Sequence, residues 1–383
     1  MEIFTDKNEC CGCTACENAC PKNAITMQTD DEGFLYPVID DALCVNCGIC
    51  KNVCAFQNGC KKSQIQKSFA VKHKNADTRR ASRSGGAFIA ISDYILEKGG
   101  SVYGAAFDDD FSVKHIRAVT KEQRNRMQGS KYVQSVVGDS FARVKEDLQN
   151  GMYVLFSGTA CQVAGLKRFL EKCDTSKLFT CDLICHGVPS PKIWREYLAY
   201  REKQYKGKVT NADFRDKSIG WSAHRESVWI DGKKHMSNGY TSLFYENEVE
   251  RPCCYNCKYT STDRPADFTL ADFWGIDRVV KNFNDNKGVS LLLVNSDKAV
   301  ELFDKIKEDI DFEQTDIQAS IRSNPNIAHP TARPASREKF WEYYRKHGFE
   351  KTYRKYYIKM SFGKIRTRLK AKYKKLKKII LRK

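Results

Sequence analysis

Apolar and polar positions recur with two different periods along this chain. From Ala87 to Glu97 the spacing is helical, and Gly99-Gly100 closes the run. Phe141–Gln149, Gln162–Leu170 and Pro191–Glu202 share that period, and Pro191 suits a first helical turn. Strand-like runs lie at Phe69–Val71, Val102–Phe107, Val113–Val119, Tyr153–Phe156, Phe179–Ile184 and Val289–Val294. Ser227–Met236 reads as a hairpin around Asp231-Gly232, and Ser157-Gly158-Thr159 as a turn. Gly129-Ser130-Lys131-Tyr132 reads as a loop, and Ser296 as the cap of a helix over Asp297–Glu308. Alternating strands and helices predict a mixed α/β domain.

The first 60 residues speak through cysteine instead. Cys10, Cys13, Cys16 and Cys20 form a C-x2-C-x2-C-x3-C ladder, and Cys44, Cys47, Cys50 and Cys54 repeat it 34 residues on. Such runs ligate the clusters of bacterial two-cluster ferredoxins, the fourth cysteine of each run serving the other cluster. The expected sets are Cys10, Cys13, Cys16 and Cys54 for one 4Fe-4S cluster, and Cys44, Cys47, Cys50 and Cys20 for the other. Zinc sites use paired C-x2-4-C rather than this density, and Met1–Asp6 does not read as the start of a secretion signal. Cys11 sits between ligands as a spare or packed thiol, and Ala55 stands where the first ladder has Pro21.

Composition enlarges the picture. A chain of 383 residues is far longer than a ferredoxin, and 41% hydrophobic residues suffice for a further core. Mean hydropathy is −0.57, and no apolar run approaches the roughly 20 residues that span a bilayer. Seventeen cysteines point to a reducing, cytoplasmic setting. The net charge of +18 is local: residues 351–383 hold 15 of the 65 basic residues and no acidic ones. There Ile365, Leu369, Tyr373, Leu376 and Ile380 form one apolar stripe on a lysine-rich helix. That pattern suits an anionic membrane surface better than nucleic acid, since the rest of the chain is nearly balanced.

A third cysteine set lies further on: Cys161, Cys173, Cys181, Cys185, Cys253, Cys254 and Cys257. Cys161 follows one strand signal and Cys185 ends another, so the carboxyl edge of a sheet can bring them to the Cys254-x2-Cys257 pair. Spacing alone leaves two readings, another 4Fe-4S cluster or a structural zinc with buried free thiols.

Ser84-Gly85-Gly86, Gly129-Ser130-Lys131-Tyr132, Ser157–Gln162, Cys185-His186-Gly187, Arg251–Cys257 and Ala271-Asp272-Phe273-Trp274-Gly275 occur in order over residues 1–280. This set resembles the family of coenzyme F-420 hydrogenase/dehydrogenase beta subunits. The resemblance implies a flavin-dependent iron–sulfur oxidoreductase holding FAD and a further 4Fe-4S cluster on Cys161, Cys185, Cys254 and Cys257. Ala160 stands where the family often has proline.

Glycines before a helix let backbone N–H groups meet an anion, so Ser84, Gly85, Gly86, Gly158 and Thr159 are candidates for flavin phosphate. Lys131 could place a charge near reduced flavin or a phosphate, and Tyr132 could stack on a ring or simply pack. His186 is a candidate proton donor, and Asp267 and Asp272 are candidate orienting groups or caps. The fold expected is α+β: a two-cluster ferredoxin-like domain (1–60), a mixed α/β flavin-binding main domain (65–145 and 150–345) and a basic helical tail (346–383). The expected electron order is substrate, flavin, main-domain cluster, ferredoxin clusters, or the reverse. The competing reading is an electron-transfer subunit serving a redox partner protein, without its own substrate. A third is a cluster-based redox sensor.

Overall fold

The computed structural model describes residues 2–358, so the apolar stripe at 365–380 lies outside the described residues. The ladders wind around short helices α1 (Ala15–Asn18), α2 (Ile49–Asn52) and α3 (Ala55–Asn58) and the antiparallel hairpin β1 (Ile25–Thr29) and β2 (Leu35–Ile39). Left-handed residues at Gly12, Thr14, Asn46 and Gly48 tighten each ladder. Gly12 is also required by space, because a Cβ there would lie 2.8 Å from Arg251 Nη1.

The main domain opens with β3 (Lys67–His73), α4 (Ala76–Ala81) and α5 (Ala87–Glu97), then β4 (Ser101–Phe107), β5 (Val113–Ala118), α6 (Lys121–Asn125) and α7 (Ser140–Gln149). There follow β6 (Val154–Thr159), α8 (Ala160–Phe169), β7 (Leu178–Leu183) and α9 (Pro191–Tyr205). A small sheet of β8 (Val209–Asp213), β9 (Glu226–Ile230) and β10 (Lys233–Ser237) precedes α10 (Gly239–Glu246). The chain returns through β11 (Phe268–Asp272), β12 (Ser290–Val294), α11 (Asp297–Ile306), β13 (Ile310–Thr315), α12 (Ile317–Ile321) and α13 (Arg337–Tyr353), the last broken at Gly348.

Eight strands form one mixed sheet in the order β13-β3-β12-β11-β7-β6-β4-β5. Its centre, β11-β7-β6-β4, is parallel, and so its carboxyl ends share one edge. Central strands are apolar on both faces, as β12 (Ser290–Val294) shows by being buried throughout. One face packs Phe156 and Tyr103 against α7, α8 and the ladders; the other packs Leu155, Cys181 and Phe268 against α5 and α11.

Two local expectations change. Ser157, Gly158 and Thr159 are the last residues of β6, paired with Cys181–Leu183, because partners on the sheet override their turn composition. Ser296 heads α11, but its hydroxyl donates to Asp267 Oδ1 at 2.7 Å instead of capping the helix.

The ladders are fastened to the sheet. Thr14 and Asn18 donate to the Gly138 carbonyl, and Tyr259 donates to the Ala55 carbonyl at 2.7 Å. Gly165 of α8 meets Cys13 so closely that a Cβ would lie 2.7 Å from its sulfur. Ser63, between the ladder region and β3, exchanges backbone hydrogen bonds with Arg264.

Candidate functional site

The two ladders cross. Cys20, Cys44, Cys47 and Cys50 line one hollow together with Ile25 and Ile39. Cys10, Cys13, Cys16 and Cys54 act on one another electrostatically as a second group. Both sets are those expected from spacing. Burial pushes Cys10 up to about 11, while Arg251 pulls the other way. Arg251 is fully buried. It donates to the carbonyls of Cys10 and Leu35, to Gln134 Oε1, and to Cys10 Sγ at 3.6 Å. A buried cation whose neighbour is a thiol sulfur, not a carboxylate, fits a ligated and deprotonated cysteine.

Cys161 sits in the first turn of α8, Cys185 two residues beyond β7, and Cys254 and Cys257 around a 3-10 turn over Pro252–Asn256. Since β6 and β7 are parallel neighbours, their ends deliver Cys161 and Cys185 to one hollow, which Cys254 and Cys257 also line. Cys185 is pushed well up by burial and then by Cys254, Cys161 and Cys257. Among the described residues no three His, Cys, Asp or Glu groups converge as ligands of a single ion.

Cys253 and Cys11 line the same hollow. Cys11 lies beside both Cys13 and Cys161, and its thiol brings Cys161 down to about 7. Cys11 therefore joins the first ladder set to the third set, a position its place between ligands did not reveal. Arg264 borders this hollow too and pairs with the fully buried Asp182 at 2.9 Å. Cys181 lies on the opposite face of the sheet, and Cys173 follows α8, so neither joins the hollow.

Beside the third hollow, sharing Thr159, Cys185, His186 and Gly187 with it, opens a cleft of about 410 Å³. Ser84, Gly86, Lys131, Tyr132, Gly158, Thr159 and His186 all line it, although they come from separate segments of the chain. Gly85 lies behind the wall: a Cβ there would stand 2.0 Å from the Val71 carbonyl, and its N–H donates to Ser290 Oγ. The Ser84 hydroxyl is committed to the Val289 carbonyl at 2.6 Å. What remains for a ligand is the start of α5, which lacks a side-chain cap.

Lys131 donates to the carbonyls of Gln128 at 2.8 Å and Arg126 at 3.2 Å. Burial brings its amine down to about 7, with Asp213 acting in the opposite sense. Tyr132 packs rather than standing free, its ring 4.6 Å from Phe244 and its hydroxyl accepting from Arg215. His186 shares a 2.7 Å hydrogen bond with Asn247 through Nε2. Asp267 bonds Thr180 across two strands, and Asp272 accepts from the Trp221 indole and faces Arg83.

Sequence reasoning missed His115, Arg83 and Arg215 in the cleft wall. His115 is stacked on Phe156 and held near 4 by burial, so its ring stays neutral. Trp274, within a motif already noted, also lines the cleft.

Comparison with known proteins adds two family matches. The C terminus of the coenzyme F420 hydrogenase/dehydrogenase beta subunit matches residues 151–320, and the 4Fe-4S dicluster domain matches residues 9–58. A subunit of the F(420)H(2) dehydrogenase of Methanosarcina mazei is 21% identical over 269 residues, 66% of this chain and 72% of that protein. An uncharacterized ferredoxin of Methanocaldococcus jannaschii is 35% identical over 54 residues, 14% of this chain and 69% of its own length. A chain of the F420-reducing nickel–iron hydrogenase complex from Methanosarcina barkeri aligns with TM-score 0.49 at 17% identity, over 70% of this chain and 88% of that one.

Proposed function

As this chain belongs to the family of coenzyme F420 hydrogenase/dehydrogenase beta subunits and carries a 4Fe-4S dicluster domain at its start, we propose that it is a flavin-dependent oxidoreductase with three clusters. The observation that carries this reading is contiguity. The 410 Å³ cleft shares its wall with the third cysteine hollow, and Cys11 links that hollow to Cys13 of the first ladder. The chain of sites runs from cleft to third hollow, to the Cys10 set, to the Cys44 set, whose Cys47 is exposed.

FAD held in the cleft would supply exchange of two electrons with a substrate and of single electrons with a cluster. The start of α5 and the Gly158-Thr159 strand end would hold its phosphate, and Lys131 and His186 would be the proton-carrying groups beside it. Cys161, Cys185, Cys254 and Cys257 would hold the third cluster. Thr159 Oγ1, 3.1 Å from Cys161 Sγ, orients that ligand. Arg264, paired with the buried Asp182, would lie beside the same cluster.

After anaerobic purification we expect about twelve iron atoms and one flavin per chain. Protein that holds only zinc and takes up no flavin overturns the reading. The alternative, an electron-transfer subunit without its own substrate, draws support from the Methanosarcina mazei relative, which is itself named as a subunit of a larger enzyme. Exposed Leu43, Val45 and Ile49 near the Cys44 set also suit a protein redox partner. Turnover of a small-molecule donor by the isolated chain excludes that alternative. No described helix is long and apolar enough to cross a membrane.

A further inference from the structure

We propose that Arg83, Arg215 and Trp274 form an anion-recognising corner of the cleft, which takes a carboxylate or phosphate group attached to a ring compound. The proposal rests on the reading of the cleft as the redox site and gives it a ligand chemistry. Arg83 precedes the Ser84-Gly85-Gly86 segment, and its side chain is only 9% exposed. None of its three guanidinium nitrogens has a hydrogen-bond partner in the protein. Its one charged contact is Asp272 Oδ2, 3.2 Å from Nη2; the other oxygen of that carboxylate accepts from the Trp221 indole at 3.1 Å.

Arg215 is 3% exposed. Its Nη1 donates to Tyr132 and, at 3.4 Å, to Tyr245, while Nε and Nη2 have no partner. The guanidinium lies 5.5 Å from the Trp274 ring centre. Trp274 in turn stacks on Trp221 at 4.9 Å and His224 at 5.3 Å, so an aromatic surface adjoins the two cations. The charged groups around them are Lys217, whose ammonium is spent on three backbone carbonyls, and the carboxylates of Asp272 and Asp213.

Native proteins rarely leave buried donors unpaired, and charged ones least of all. Four guanidinium nitrogens with neither a hydrogen bond nor an ion pair, and a fifth held only by Asp272, at one wall of a cleft mark a site where a ligand supplies the acceptors. The planar fork of arginine matches carboxylate and phosphate oxygens two at a time, which a lysine cannot do. The nitrogens are themselves buried, so binding would require the anion to draw Arg83 from Asp272 toward the cleft.

The shared chemistry has two sources, the diphosphate of FAD or an anionic group on the substrate, and the test separates them. Wild-type protein, Arg83→Gln, Arg215→Gln and the charge-keeping Arg83→Lys are prepared anaerobically with full iron content. FAD and riboflavin are titrated by flavin fluorescence, and phenyl phosphate by tryptophan fluorescence. We expect both glutamine variants to bind phenyl phosphate at least tenfold more weakly, with Arg83→Lys in between. Loss of FAD affinity with riboflavin affinity unchanged assigns the corner to the cofactor diphosphate. Unchanged FAD affinity with weakened phenyl phosphate assigns it to the substrate. Wild-type affinity for all three probes in iron-replete variants overturns the proposal. Wild-type protein that binds no flavin sinks the functional reading alone, because phenyl phosphate still reports on the corner in flavin-free chain.

Discussion

Replacing Arg251 by Met should lower most the reduction potential of the cluster proposed on Cys10, Cys13, Cys16 and Cys54, lower less that of the third set, whose Cys161 also feels Arg251, and leave the Cys44 set nearly unchanged. The guanidinium is fully buried and 3.6 Å from Cys10 Sγ. The added electron of a reduced cubane is spread over its irons, so the effective separation is roughly 7 Å, and at an effective dielectric near 20 the attraction is about 2.4 kcal/mol. For a one-electron couple, in which about 1.4 kcal/mol corresponds to 59 mV, that is a fall of about 100 mV. Methionine keeps most of the side-chain volume but loses hydrogen bonds to Cys10, Leu35 and Gln134, so a drop in melting temperature should accompany it. Arg251→Lys, which keeps the charge and loses the fork, should recover most of the potential. Redox titration followed by electron paramagnetic resonance, on samples matched for iron, is the assay. An Arg251→Met protein with full iron and all midpoints unmoved would refute the electrostatic argument. Equal shifts at every cluster would point to general loosening instead.

Three other outcomes are expected. Cys161→Ser or Cys185→Ser should lower iron from about twelve to about eight per chain, whereas Cys11→Ser should leave it near twelve; colorimetric iron analysis decides. Gly165→Ala should destabilise the protein and impair loading of the Cys13 cluster, although alanine is worth about 1 kcal/mol more than glycine inside a helix, because its Cβ would stand 2.7 Å from Cys13 Sγ; a melting temperature equal to or above wild type would contradict this. Lys131 titrates near 7 when folded and near 10.4 when unfolded. Between those values only the unfolded chain holds the proton, so stability rises with pH across the window and the penalty is complete below about 7. Lys131→Met should flatten that slope in urea midpoints measured from pH 7 to 10, and parallel slopes would rule out the buried amine.

The grouping of the cysteines was legible from spacing and strand ends, whereas spacing left the group held by the third set open between a cluster and zinc. The crossed ladder sets follow from residue intervals alone, and the ends of β6 and β7 deliver Cys161 and Cys185 to Cys254 and Cys257. The α/β alternation was legible for central strands, whose apolar runs are long. Edge strand β13 was not, since its buried and exposed positions give no clean alternation. β11 was hidden because Asp267 and Asp272 bracket it with charge, and those charges are satisfied only by neighbours distant in sequence. Arg83 and Arg215 were unreadable for the same reason: an arginine in a loop gives no sign of burial until the sheet is assembled around it. Glycine composition misled at Ser157-Gly158-Thr159, where pairing to β7 decides the backbone.

The contact between Gly165 and Cys13 also constrains the order of assembly. Cys13 is buried against α8, whereas Cys47 stands open at the far end of the ladder region. Iron for the inner site would reach Cys13 most readily before the seam closes, while Cys47 of the outer site stays reachable in the finished molecule. The outer site would then be the replaceable terminal, losing iron to chelators ahead of the inner one.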